Sequence, residues 1–251
     1  MSFTIEDMIL IAEKRYEMKF LAGKNGWANS ISWVHLLEGT TIIQNFWGKE
    51  LAVTTGLGFP QKEDWMHLAR QLNQFHASGL IINVGQYIEE VPKELIAYCD
   101  ENDLPLLTVP WEVHLSDMIK DFSIHVFLQD NTDEQIASAL IKAIETPEKQ
   151  NEYRKEVLQH FDVDGSFQVF LLTCEGLDAM DTVERKKLSY RIQVYLEDIT
   201  HNASFFYYNS DFVLVANAVP EEFLYQLIEG AIKRGERRMP ELKLCVGVGS
   251  R

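Results

Sequence analysis

Apolar residues along the first half of the chain alternate between two spacings. Ile5, Met8, Ile9 and Ala12 recur every three or four residues, and Thr4 followed by Asp7 makes a capping-box-like start. Residues 4–15 are therefore expected to form an amphipathic helix. Gly23 and Gly26 then mark a turn. Short, mainly apolar runs at Ile31–Leu37, Leu51–Val53, Leu80–Val84 and Leu104–Val109 read as strands. The clearest helix spans residues 62–77, with Trp65, Leu68, Ala69, Leu72 and Phe75 on one face. Another begins near Pro92 and carries Leu95, Ile96 and Cys99, and a third is marked by Leu115, Met118, Ile119 and Phe122. Apolar strands separated by helices belong to a parallel sheet covered on both faces, so residues 1–130 are expected to be an α/β domain.

Residues 131–163 are charged, helix-prone and interrupted by Thr146-Pro147. Ile136, Leu140, Ile141 and Ile144 give the first part an apolar stripe; Tyr153, Val157, Leu158 and Phe161 give the second part another. Two readings stand open: helices packed on their own domain, or a helical connector pairing with a second copy in a homodimer. A different order of elements follows in residues 164–251. Phe167–Thr173 is an apolar strand, and Leu188, Ile192, Tyr195, Leu196 and Ile199 mark a helix. Phe205–Tyr208 and Phe212–Ala216 flank the turn sequence Asn209-Ser210-Asp211, which predicts a hairpin. A helix after Pro220 carries Phe223, Leu224, Leu227, Ile228 and Ala231, and Leu242–Val248 is a last strand. The order β-α-β-β-α-β is ferredoxin-like.

The charge narrows the choice of partners. The 251 residues carry a formal charge of −15, with 9 basic against 17 acidic residues in 1–125 and 14 against 21 thereafter. Both halves repel a phosphate backbone, which disfavours nucleic acid as a direct partner. Cys99, Cys174 and Cys245 are too few and too scattered for a disulfide framework or a CxxC site and fit a reducing compartment. With no secretory leader pattern and no run of about 20 apolar residues for a membrane span, a cytoplasmic protein is expected.

Catalytic and metal chemistry find little support. The seven histidines form no HExxH or other close ligand pair, GxSxG is missing, and Cys99 falls on the apolar face of a predicted helix. No catalytic residue, metal site or cofactor is expected. Thr54-Thr55-Gly56-Leu57-Gly58 lacks the lysine of a P-loop and the third glycine of a dinucleotide fingerprint. The same segment nevertheless follows a predicted strand, and open α/β sheets bind ligands at the carboxyl ends of their strands. Asn83, Gly85 and Gln86 end another strand with polar groups. Trp33 and His35 share a strand face by period two, with Glu38 just beyond. Trp33, His35, Glu38, Thr54, Thr55, Gly56 and Asn83 are accordingly candidates to enclose a small polar molecule. The alternative is that they are turn residues, strand caps and core packing.

A family resemblance adds to this reading. Ile31-Ser32-Trp33-Val34-His35-Leu36-Leu37-Glu38, followed by Gly48-Lys49-Glu50-Leu51-Ala52-Val53-Thr54-Thr55-Gly56, resembles the V-x-W-x-H-x-x-E and G-x-E-L-x-L-T-T-G signatures of PucR-type (purine catabolism regulator) sensor domains. Leu21-Ala22-Gly23, Gly79-Leu80-Ile81-Ile82, Ile88–Leu95 and Leu104-Pro105-Leu106-Leu107 are similar to further blocks in the same order, so the likeness covers residues 5–125. It departs at Ala52, where a larger aliphatic is usual, and at Ile31, where valine is usual. The second unit resembles the degenerate GGDEF-like domain of such regulators. Its hairpin reads Asn209-Ser210-Asp211-Phe212 without the glycines of an active cyclase, and at most Asp211 and Glu175 remain of the metal-binding carboxylates.

The resemblance implies a non-enzymatic, homodimeric sensor of a small nitrogen metabolite, a purine breakdown product or an amino acid. It further implies that DNA is a partner only through a C-terminal helix-turn-helix, which is absent from a chain ending at Gly249-Ser250-Arg251. A nucleotide cyclase and a ligand-free dimerisation module are the competing expectations.

Overall fold

The computed structural model describes residues 3–182, 184, 185, 188, 189, 192, 202–238 and 243–249. The chain divides into two compact units, Met1–Gln129 and Asp130–Arg251.

The first unit is a five-stranded sheet between two layers of helices. Its strands are β1 (Lys19–Ala22), β2 (Trp33–Leu36), β3 (Glu50–Thr54), β4 (Gly79–Val84) and β5 (Leu106–Pro110), in spatial order β1-β5-β4-β3-β2. β2 to β5 run parallel and lie side by side in chain order, while β1 closes the far edge antiparallel to β5. The mostly parallel sheet agrees with the α/β class expected from the apolar strands.

Side-chain alternation sends each strand into two cores. Ala52, Leu80, Ile82 and Leu106 meet α2 (Lys62–Gln74) and α3 (Lys93–Glu101) on one face. Leu51, Val53, Ile81, Leu107 and Val109 meet α1 (Ile5–Arg15) and the start of α4 (Leu115–Glu145) on the other. α1 starts as its sequence suggests: Asp7 N–H donates to Thr4 Oγ1 and Thr4 N–H to Asp7 Oδ2, a complete capping box.

Three features differ from the sequence-based expectation. β1 was not expected; it has only three apolar residues, too short a run to show alternation, and its pairing with β5 is irregular between Phe20 and Ala22. β2 is shorter than the apolar run suggests, because Ser32 N–H already turns to Lys49 O before the ladder begins. Leu115–Glu145 is one helix of 31 residues, where the apolar periodicity suggested separate segments either side of residue 130.

The second unit has an antiparallel four-stranded sheet. It contains β6 (Phe167–Cys174), β7 (Ala203–Tyr208), β8 (Asp211–Asn217) and β9 (Leu244–Val248) in the order β7-β8-β6-β9. That is the strand order of a ferredoxin-like fold. β7 and β8 join through Asn209-Ser210 with both residues at positive φ, 48° and 72°, as a two-residue type I′ hairpin requires. Phe170, Leu172 and Leu214 face α6 (Glu221–Arg238) together with Leu188 and Ile192, which are helical and buried. Tyr195, Leu196 and Ile199 of the predicted helix lie outside the described residues. On the opposite face Val213 and Val215 meet Ile136, Ala139 and Leu140 of α4 and Val157 of α5 (Gln150–Leu158).

Candidate functional site

The parallel strands of the first unit deliver their carboxyl ends to one edge of the sheet, and most of the polar candidates gather there. Glu38 follows β2, and its carboxylate takes four donors from the segment after β3. Thr55 N–H and Oγ1–H donate to Oε1 at 2.8 and 2.6 Å; Thr54 Oγ1–H and Gly58 N–H donate to Oε2 at 3.1 and 3.3 Å. A carboxylate offers about four lone-pair sites, so these donors satisfy it and pin the Thr54–Gly58 loop against the end of β2. Gly58 is needed for this approach: a Cβ there would lie 2.0 Å from the backbone oxygen of Glu38. Gly56 N–H donates to Thr54 Oγ1, and the glycine packs beside Trp65 and Ile88.

The second half of the resemblance also has a structural role, at the opposite end of β3. The buried Glu50 carboxylate accepts from Trp47 N–H at 2.6 Å and Gly48 N–H at 2.8 Å, shaping the turn that feeds the strand.

The other candidates are placed differently. His35 is half-buried and stacks on Phe46, with ring centroids 5.0 Å apart, and burial holds its imidazole below the ordinary value of 6.5. Trp33 shares its strand face but stands at the amino end of β2, opposite Glu50, and is 50% exposed. Asn83 is buried, and its Nδ2 donates to Pro110 O at 2.6 Å, which ties the end of β4 to β5. By strand alternation with Ile81 and Ile82 it lies on the sheet face opposite Thr54. The structure thus unites Glu38, Thr54, Thr55 and Gly56, and sets Trp33 and Asn83 apart from them.

Two aromatic residues missed in the sequence complete the same edge. Tyr87, after β4, and Trp111, after β5, meet edge-to-face at 5.5 Å, and each remains substantially exposed. Gly85, at φ 140°, brings the two loops together, since a Cβ there would meet Trp111 Cβ at 2.6 Å. Their signal was available: each lies within three residues of the end of an apolar strand, where ligand-contacting loops begin. Glu38, Thr55, Ile88, Tyr87 and Trp111 therefore come from four successive loops on one edge of the sheet. The edge carries the hydrogen-bonded Glu38–Thr55 network and the exposed Tyr87–Trp111 ring pair; among the described residues no group of three His, Cys, Asp or Glu gathers to hold a metal ion.

Comparison with known proteins bears on this edge. Residues 9–126 match the model of the purine catabolism regulatory protein-like family, PucR. The purine catabolism regulatory protein of Bacillus subtilis (strain 168) is 27% identical over 107 residues, which cover 42% of this chain and 20% of that protein. The chain thus spans only about a fifth of the curated relative it matches. No solved structure matches the chain. Residues 9–126, which hold the sheet and the Glu38–Thr55 edge, are thus similar to the purine catabolism regulatory protein-like family.

Proposed function

We propose that this chain is the effector-sensing and dimerising part of a PucR-like transcription regulator rather than an enzyme. Its first unit would bind a small nitrogen metabolite, a purine breakdown product or an amino acid, at the carboxyl edge of the parallel sheet. The observation carrying this reading is that the Glu38–Thr55 pair and the exposed Tyr87–Trp111 pair both follow the carboxyl ends of the parallel strands, the edge where α/β sheets take ligands, within the segment matched to the family. A planar, amide-rich molecule suits such an edge, because ring faces give contact area and hydroxyl or amide groups set its orientation. Thr55, only partly buried, is the proposed contact, and Glu38 with the buried Thr54 and Gly56 positions it, while His35 and Asn83 pack on the strands behind.

The effector must favour one of two states of the chain to act as a signal, since a ligand that binds both equally shifts nothing. The second unit, read as a degenerate GGDEF-like domain, would carry that shift as a homodimer to DNA-binding residues outside these 251. Three free cysteines suit a cytoplasmic setting.

A ligand-free structural role is the second reading, favoured by the fact that Glu38 and Thr55 already satisfy one another. A thermal-shift screen over purines, ureides and amino acids separates the two, because a ligand that binds only the folded chain raises its melting temperature. The sensor reading expects a hit whose affinity falls at least tenfold in Thr55→Val; a flat screen supports the structural role.

A further inference from the structure

The second unit contains a cavity of about 360 Å³, lined entirely by its own residues. Leu140 and Ile144 of α4, Val157 of α5 and Val215 of β8 supply apolar wall, and Arg154 of α5 and Asp164, in the turn before β6, also line it. Among the described residues these two charged side chains form no ion pair and no side-chain hydrogen bond, with each other or with any neighbour; Asp164 makes only a backbone bond, its N–H donating to Asp162 Oδ1.

The volume falls in the range of small-molecule sites, and an apolar lining with a few polar groups is their usual composition. A guanidinium offers a planar fork that matches a carboxylate, and a carboxylate attracts an ammonium group. Two opposite charges that line an apolar cavity without neutralising each other complement a zwitterion with an apolar body. A simple carboxylic acid would meet repulsion from Asp164, and a simple amine would meet it from Arg154.

We propose that this cavity binds an apolar α-amino acid, with the carboxylate on Arg154, the ammonium on Asp164 and the side chain against Leu140, Ile144, Val157 and Val215. This site is independent of the effector site proposed on the first unit.

Isothermal titration of the whole chain with L-phenylalanine and L-leucine tests it, beside 3-phenylpropanoate, which lacks the ammonium, and 2-phenylethylamine, which lacks the carboxylate. Both charged residues are exposed, so Arg154→Gln and Asp164→Asn should keep the fold, which circular dichroism checks. The expected result is binding of at least one of the two amino acids that weakens tenfold or more in each variant and in each truncated analogue, yet is unchanged in Thr55→Val. The proposal is overturned if neither amino acid binds, if both variants bind as wild type, if 3-phenylpropanoate binds as tightly as L-phenylalanine, or if Thr55→Val rather than Arg154→Gln abolishes binding.

Discussion

Glu38 and Thr55 are joined twice: the threonine's backbone N–H and its hydroxyl both donate to the same carboxylate oxygen, at 2.8 and 2.6 Å. The pair links the end of β2 to the end of β3, and the loop between Thr54 and Gly58 owes its course to it. Glu38→Gln replaces a charged acceptor by an amide and should cost about 1–2 kcal/mol of stability. Thr55→Val, which keeps the shape and loses the hydroxyl, should cost about 1 kcal/mol. Because the two act on one contact, a double-mutant cycle in urea should show a coupling of about 1 kcal/mol, not additivity.

Close backbone approach makes Gly85 a sharper probe of the same edge. At φ 140° and with Trp111 Cβ 2.6 Å from where a methyl would sit, Gly85→Ala is both strained and obstructed. It should cost about 2 kcal/mol or more and release the Tyr87–Trp111 contact. Urea unfolding gives the first, and the tryptophan emission of the folded protein the second.

The residues of this edge are legible in the sequence as strand-end positions, but the contacts among them are not. β3 to β5 announced themselves because both faces are buried, which forces unbroken apolar runs such as Leu80-Ile81-Ile82. β1 did not, since an edge strand of four residues with one buried side chain imposes no pattern. Thr54 and Thr55 were legible as residues at a strand end, but their partner was not. Which carboxylate satisfies them depends on the parallel pairing of β2 with β3, a contact sixteen or seventeen residues distant in sequence. The bond of Asn83 to Pro110 O is hidden from the sequence for the same reason, since it arises only when β4 and β5 lie side by side.

Burial of His35 gives the first unit an acid sensitivity. Its folded pKa lies below the ordinary 6.5, so the unfolded chain takes up the proton first as the pH falls. Stability attributable to His35 is complete above about pH 6.5 and declines as the pH drops toward the folded value. His160 is lowered in the same direction, mainly by burial, so the comparison must isolate one residue. His35→Phe, stacked on Phe46 as before, should show a smaller loss of urea midpoint between pH 7.5 and pH 5 than the parent.

The cysteines differ in reactivity for a related reason. Burial pushes the Cys99 thiol up to about 12, and Cys174 is also buried and raised, whereas Cys245 is exposed. Since the thiolate is the nucleophile, Ellman's reagent at pH 8 should label one thiol rapidly in the folded protein and all three in guanidinium. Cys245→Ser should remove the rapid phase.

Hydrogen exchange with and without the strongest compound from a panel of purines, ureides and amino acids tests the central claim most directly. An effector held at the carboxyl edge of the parallel sheet should slow the amides of residues 54–58, with Gln86–Ile88 and Trp111, and the effect should disappear in Thr55→Val. If every binding compound instead protects only residues 140–169, or leaves residues 54–58 exchanging as in the ligand-free chain, the first unit does not sense its effector at that edge.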